Sequence, residues 1–125
     1  MRLLLDTHVL LWWLANDPHL GEEARAGISD PGSAVYVSAA TVWEISIKRA
    51  LGKLDAPSDL LSQIELNRFE PLSMTVSHAH AAGALPRHHD DPFDRMLVAQ
   101  AMVEGLTLLT RDSRMGLYGV GVLAA

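Results

Sequence analysis

Short apolar runs recur along the chain, each followed at once by polar residues and then by a helical pattern, and this alternation limits the fold more than any other feature. Arg2–Leu5, Ala34–Val37, Arg68–Leu72, Leu106–Leu109 and Val120–Leu123 read as strands. Between them, His8–Ala15, Glu22–Ile28, Ala39 or Ala40 to about Leu51, Ser58–Asn67, Val76–Leu85 and Pro92 to about Glu104 read as helices. Leu3-Leu4-Leu5 shows no alternation of apolar and polar residues, as expected of a strand buried on both faces. Strands of this kind separated by helices predict an α/β protein whose mainly parallel sheet is covered on both sides. Local signals mark the joints. Ser38 is suited to cap the helix that ends at Gly52, Asp91-Pro92 combines an N-cap with proline at the first helical position, and Gly105 stops that last helix.

With 125 residues, 49 % of them hydrophobic, the chain can bury a core and is expected to form one domain over 1–125. It has no cysteine, which excludes a disulfide framework and thiolate-held zinc or iron–sulfur clusters. The apolar start is broken by Asp6 and His8, and Asn16-Asp17-Pro18 stands where a signal peptide needs small residues. The run Val9–Ala15 is too short to cross a bilayer, so a soluble, cytoplasmic protein without membrane association is expected. The net charge of −5 argues against nucleic-acid binding through a broad basic surface. It leaves room for an enzyme whose acids gather in one pocket.

In a parallel sheet, ligands bind at the carboxyl ends of the strands, so the residues just after each strand matter most. Asp6 follows the first strand, Glu44 lies in the helix after the second, Asp94 in the first turn of the helix from Pro92, and Asp112 just past the fourth strand. A parallel sheet puts all of them on one rim. Two carboxylates about 5 Å apart repel by roughly 3 kcal/mol at an effective dielectric near 20. A divalent cation removes that penalty, and a set of oxygen donors selects Mg²⁺ or Mn²⁺. Taken singly, each acid also has a purely structural reading. Asp6 can cap a helix, Glu44 can pair with Lys48 one turn on, Asp94 can favour a helix start, and Asp112 can belong to an ordinary loop. The catalytic case rests on the set. Asp91 is read as a cap.

Other signals are weaker. His78 and His80 fall on different sides of a helix and His88 and His89 are adjacent, so neither pair has the spacing of a helical zinc site. His89 is expected at the pocket rim or ordering the Asp91–Asp94 turn. Lys48 and Arg95 are the preferred phosphate contacts among the basic residues that flank the acids, with Arg49, Lys53, Arg87 and Arg111 as further candidates. Arg95 can instead hold an acidic neighbour. Trp12, Trp13 and Trp43 read as core or interface.

Four segments together resemble PIN domains of the VapC toxin type: Leu3-Leu4-Leu5-Asp6-Thr7-His8; Ser38 to Ile45 with Lys48 and Gly52-Lys53-Leu54; His89-Asp90-Asp91-Pro92-Phe93-Asp94-Arg95 with Leu97, Ala99, Gln100 and Ala101; and Leu109-Thr110-Arg111-Asp112 followed by Tyr118. The resemblance implies a three-layer fold around a mainly parallel five-stranded sheet. It implies an endoribonuclease dependent on Mg²⁺, or Mn²⁺ in its place, that leaves a 5′ phosphate and a 3′ hydroxyl. It carries the catalytic and metal-binding roles to Asp6, Glu44, Asp94 and Asp112, and places Thr7 and Thr110 where they orient carboxylates, water or substrate. A cognate antitoxin and a homodimer are the implied partners, and RNA the substrate. Met115-Gly116 departs from the pattern, where a larger aromatic residue often follows the last acid. Two other functions compete. A phosphatase with Asp6 as nucleophile requires a second aspartate where this chain has His8, and a non-catalytic RNA- or protein-binding module has no need of all four acids.

Overall fold

The computed structural model describes residues 1–125. Five strands, β1 (Arg2–Leu5), β2 (Ala34–Ser38), β3 (Glu70–Leu72), β4 (Thr107–Thr110) and β5 (Val122–Ala124), form one sheet in the order β3-β2-β1-β4-β5. Every pairing is parallel. Helices α1 (Thr7–Leu14), α2 (Glu22–Ser29), α3 (Ala39–Ala50), α4 (Leu60–Leu66), α5 (Val76–Ala84) and α6 (Pro92–Glu104) flank it. No helix is long and apolar enough to cross a membrane.

The unbroken leucine run of β1 divides between two cores. Leu3 and Leu5 pack with Val9 and Leu10 of α1, Ala24 and Ile28 of α2, Ile45 of α3 and Leu60 and Ile64 of α4. Leu4, on the opposite face, packs with Leu97, Val98 and Ala101 of α6, and with Leu108 and Met115. Strand periodicity thus sends successive leucines into different layers, and the three-layer α/β architecture follows.

The chain visits β1, β2 and β3 in one direction across the sheet and then returns to lay β4 on the other side of β1. The carboxyl ends of β1 and β4 therefore lie together at the point where the strand order reverses, the place where open parallel sheets bind ligands. The backbone N–H of Asp6 donates to the Leu109 carbonyl at 3.1 Å, which carries the pairing one step past the end of β1.

Most helix and strand ends differ from the expectation by a residue, and a few of these differences have a local cause. The third strand begins at Glu70 rather than Arg68, because Arg68 takes a left-handed conformation (φ 58°) in the turn that leaves α4. α4 itself starts two residues later than the apolar pattern suggests. β4 begins one residue later, at Thr107, because Leu106 completes the end of α6 by donating to the Ala101 carbonyl at 2.9 Å, and it runs on to Thr110. Residues Ser113–Tyr118 form a 3₁₀ turn, which delays β5 to Val122.

Two buried polar residues lock the helices that carry the acids. Ser38 caps α3 by accepting the Ala40 N–H at 3.0 Å, and its hydroxyl donates to Gln100 Oε1 on α6 at 2.6 Å. Gln100 is fully buried and its amide reaches the Ser73 carbonyl at 3.4 Å. We predict that Gln100→Leu, which keeps the volume but leaves the Ser38 hydroxyl without an acceptor, lowers stability by about 1–3 kcal/mol. Urea unfolding should show this as a lower midpoint with an unchanged slope.

Candidate active site

The structure brings Asp6, Glu44, Asp94 and Asp112 to the wall of a single cavity of about 380 Å³. A larger and mostly apolar groove of about 640 Å³, between α3, α4 and β3, contains none of them. Each acid arrives on a different element, and each is held by a donor that its own environment supplies.

Asp6 is both cap and cavity residue. One oxygen accepts the Val9 N–H at 2.8 Å and closes the first turn of α1; the other accepts the Thr110 hydroxyl at the end of β4. Burial raises its pKa, opposed by those two hydrogen bonds. Thr110 also accepts the Asp112 N–H at 3.0 Å, so one hydroxyl links the first acid to the last. The single-residue extension of β4 is what aims Thr110 here.

Glu44 is almost fully buried in the second turn of α3. Its Oε1 accepts the Thr7 hydroxyl at 2.6 Å and its Oε2 the Lys48 ammonium at 2.5 Å. The structural reading, a helical ion pair one turn apart, is therefore present within the cavity and does not remove Glu44 from it. The hydrogen bond to Glu44 raises the pKa of Lys48.

Asp94 sits in the first turn of α6, behind the Asp91 cap, whose Oδ1 accepts the N–H groups of Phe93 and Asp94 at 2.8 and 3.1 Å. Its carboxyl is pushed up to about 7, first by burial and then by the charge of Asp91, while His89 opposes the shift. Asp112 is the reverse case: Arg114 grips both of its oxygens at 3.0 and 2.8 Å and holds it down at about 2. His89, buried in the loop before α6, places its Nε2 at 2.9 Å from Asp94 and at 2.9 Å from Asp112.

Among the flanking cations, Lys48, Arg111 and Arg114 line the cavity, whereas Arg49, Lys53, Arg87 and Arg95 do not. Arg95, expected as a phosphate contact, stands outside this cavity: its guanidinium donates to the carbonyls of Ala82, Leu85, Pro86 and His89 at 2.9–3.3 Å and so ties the α5–α6 loop down. Arg114 escapes sequence reading because its link to Asp112 belongs to the 3₁₀ turn. Trp12, expected in a core or interface, borders the cavity and carries the Arg111 guanidinium over its ring, 4.7 Å from the centroid. Met115, the departure from the aromatic pattern, is fully buried beneath the turn.

The donor set can be tested against a metal ion. The walls offer carboxylate oxygens from several elements, and the chain contains no thiol. Burial, and then the charge of Asp91, raise the pKa of Asp94, a penalty on its charged form that a bound cation would offset. The ligand atoms of His89, Asp94 and Asp112 lie within 4.8 Å of one another, and the carboxylate oxygens around them are of the kind that suits a hard divalent cation.

The sequence pattern of the PIN domain matches residues 3–120, and the chain belongs to that family. Among curated relatives it is similar to Ribonuclease VapC22 of Mycobacterium tuberculosis, 29 % identical over 116 residues that cover 90 % of this chain and 88 % of the relative. Ribonuclease VapC16 of the same organism is 37 % identical over 62 residues, 48 % of this chain and 44 % of that one. Among solved structures, a chain of the Rickettsia felis VapBC2 complex bound to a promoter DNA fragment superposes with a TM-score of 0.75 at 14 % identity, covering 100 % of this chain and 99 % of its own. A chain of DNA-bound VapBC from Salmonella typhimurium gives 0.69 at 22 % identity, covering 99 % and 98 %.

The Asp94 shift has a stability consequence. Its folded pKa, about 7, lies above the ordinary aspartate value, so the native state binds this proton more tightly than the unfolded chain does. The resulting stabilisation is complete below the unfolded pKa and is lost as pH rises through about 7. We predict that the metal-free Asp94→Asn variant is more stable than the parent at pH 8 by roughly 1–3 kcal/mol, with the difference shrinking towards pH 5. Thermal or urea unfolding in a chelator at both pH values measures it.

Proposed function

We propose that this protein is a Mg²⁺-dependent endoribonuclease, the toxin of a VapBC-type toxin–antitoxin pair, with residues 1–125 forming one PIN domain in the cytoplasm. The observation that carries this reading is the convergence of Asp6, Glu44, Asp94 and Asp112 on one cavity at the reversal point of a parallel sheet. Similarity along 90 % of the chain to a relative called Ribonuclease VapC22 supports the substrate class.

A bound divalent ion would polarise a phosphoryl oxygen and make an attacking water more acidic. The protein's part is to hold and orient. Thr110 fixes the Asp6 carboxylate, and Thr7 fixes Glu44, so neither needs to reorganise when an RNA strand arrives. Lys48 and Arg114 stand on the cavity wall and can meet the scissile phosphate. Water attacks phosphorus opposite the 3′ oxygen; the new P–O bond forms as the P–O3′ bond breaks, and the 3′ oxygen leaves as a hydroxyl after taking up a proton. The products are a 5′ phosphate and a 3′ hydroxyl.

Exposed Trp43, Leu61, Leu66 and Val76, the last 87 % accessible, leave apolar surface for an antitoxin and for a second copy of the chain.

We expect purified protein, free of antitoxin, to cut total RNA in Mg²⁺ or Mn²⁺ and to stop when a chelator is added, with mapped ends of the stated chemistry. Asp6→Asn and Asp94→Asn should abolish cleavage while far-UV circular dichroism stays unchanged. Cleavage that persists in chelator, or in either variant at the parent rate, refutes the assignment.

A further inference from the structure

We propose that His89 is a positioning residue of the acid cavity: its ring Nε2–H donates to Asp112 while the same nitrogen stands 2.9 Å from Asp94, so that the imidazole sets the separation of those two carboxylates for a divalent ion. The inference rests on the metal-dependent reading above and adds to it a residue that contacts the acids rather than the ion.

The geometry selects the tautomer. His89 Nδ1 accepts the backbone N–H of Asp91 at 3.1 Å, so the ring proton of the neutral imidazole lies on Nε2. That Nε2 is 2.9 Å from Oδ2 of Asp94 and 2.9 Å from Oδ2 of Asp112. Asp112 is the acceptor of that N–H, and the Asp94 oxygen packs against the same nitrogen as a close ionic contact. These acids belong to separate elements, with the rest of α6 and all of β4 between them in the chain. Nothing in local geometry relates their spacing. The imidazole supplies the relation, and it is itself 6 % exposed and cannot swing away without opening the loop.

The loop is held from both sides. The His89 carbonyl accepts from Arg95 at 3.3 Å and from the Tyr118 hydroxyl at 3.5 Å. Arg95 thus acts on the cavity at one remove: it pins the backbone from which the imidazole projects. The same backbone turn is closed by the Asp91 cap, so His89 and Asp94 sit on opposite sides of one rigid N-terminus.

The ligand atoms of His89, Asp94 and Asp112 all lie within 4.8 Å of one another, close enough for a site with a nitrogen ligand. The tautomer argues against that use, because a nitrogen that carries a proton has no lone pair to give. Asp94, which lines the cavity, keeps oxygen lone pairs for an ion, whereas both oxygens of Asp112 already accept from Arg114 and one of them also from His89. The imidazole therefore orients oxygen donors and leaves the ion an all-oxygen set, the choice that suits Mg²⁺ or Mn²⁺.

Two substitutions separate the donor from the acceptor. In His89→Asn, a side-chain oxygen can still take the Asp91 N–H, but nothing reaches the two acids. In His89→Gln, the terminal amide nitrogen falls where Nε2 was and restores the donor. Calorimetric titration with Mn²⁺ should find His89→Gln within about threefold of the parent, and His89→Asn weaker by about 10–100-fold. Thermal midpoints in chelator check that both variants are folded. Equal Mn²⁺ affinity in the parent and in folded His89→Asn overturns the role of His89 while leaving the metal centre in place. Electron spin-echo spectra of the Mn²⁺-loaded parent should lack the coupling of a directly bound imidazole nitrogen; its presence makes His89 a ligand and overturns the positioning role. A parent protein that takes up no Mn²⁺ removes the metal-dependent reading, and the role of His89 falls with it.

Discussion

Like charges crowded at one sheet edge are the constraint around which this molecule is built. Carboxylates that line a common cavity repel one another, and burial makes the charged form of each less favourable. The chain does not neutralise them with one cation apiece. It gives Asp6 a backbone N–H and a threonine hydroxyl, Glu44 a threonine hydroxyl and a lysine, Asp112 an arginine and an imidazole N–H, and Asp94 a close contact with the same imidazole. The held acids keep a defined geometry. Burial still raises the pKa of both Asp6 and Asp94, so the cost of charging them is only partly offset.

The topology explains why such an arrangement is possible at all. No stretch of sequence contains more than one of these acids within reach of another. A parallel sheet aligns the ends of all its strands, and the jump from β3 across to β4 brings the end of the chain beside its beginning. Thr110 and Asp6 then meet across the β1–β4 pair, while Ser38 and Gln100 tie together the two helices that present Glu44 and Asp94. Buried polar contacts of this type specify position more than they add stability, since each replaces hydrogen bonds to water. Here what they specify is the relative placement of the cavity walls.

The sheet was legible in the sequence because burial on both faces leaves a plain mark, and Leu3-Leu4-Leu5 has no other comfortable home. The helix joints were legible for the same kind of reason: Ser38, Asp91-Pro92 and Gly105 act on their own neighbours. The candidate acids could be picked out by their position after each strand. What stayed hidden depends on contacts made across the fold. Arg95 looks like a free cation beside an acidic motif, and only the path of the α5–α6 loop shows its guanidinium occupied by four carbonyls. Arg114 carries no signal until the 3₁₀ turn folds it back onto Asp112. The left-handed Arg68 shortens β3 without a glycine to announce it.

The segment from His89 to Arg95 shows how closely several functions can be packed when each residue has one geometric task. Asp91 caps α6 and, by its charge, raises the pKa of Asp94. Pro92 starts the helix where no N–H is needed. Asp94 enters the cavity from the first turn. Arg95, next in sequence, leaves the helix on another side and anchors the incoming loop. His89 receives the Asp91 N–H through one nitrogen and reaches two acids with the other. The sequence run is therefore a single mechanical unit, in which a helix start, a loop clamp and one acid of the candidate metal site share the same few backbone hydrogen bonds. Displacing any part of that turn moves both carboxylates on its side of the cavity, which is why residues that never touch the ion can still decide how well it is held.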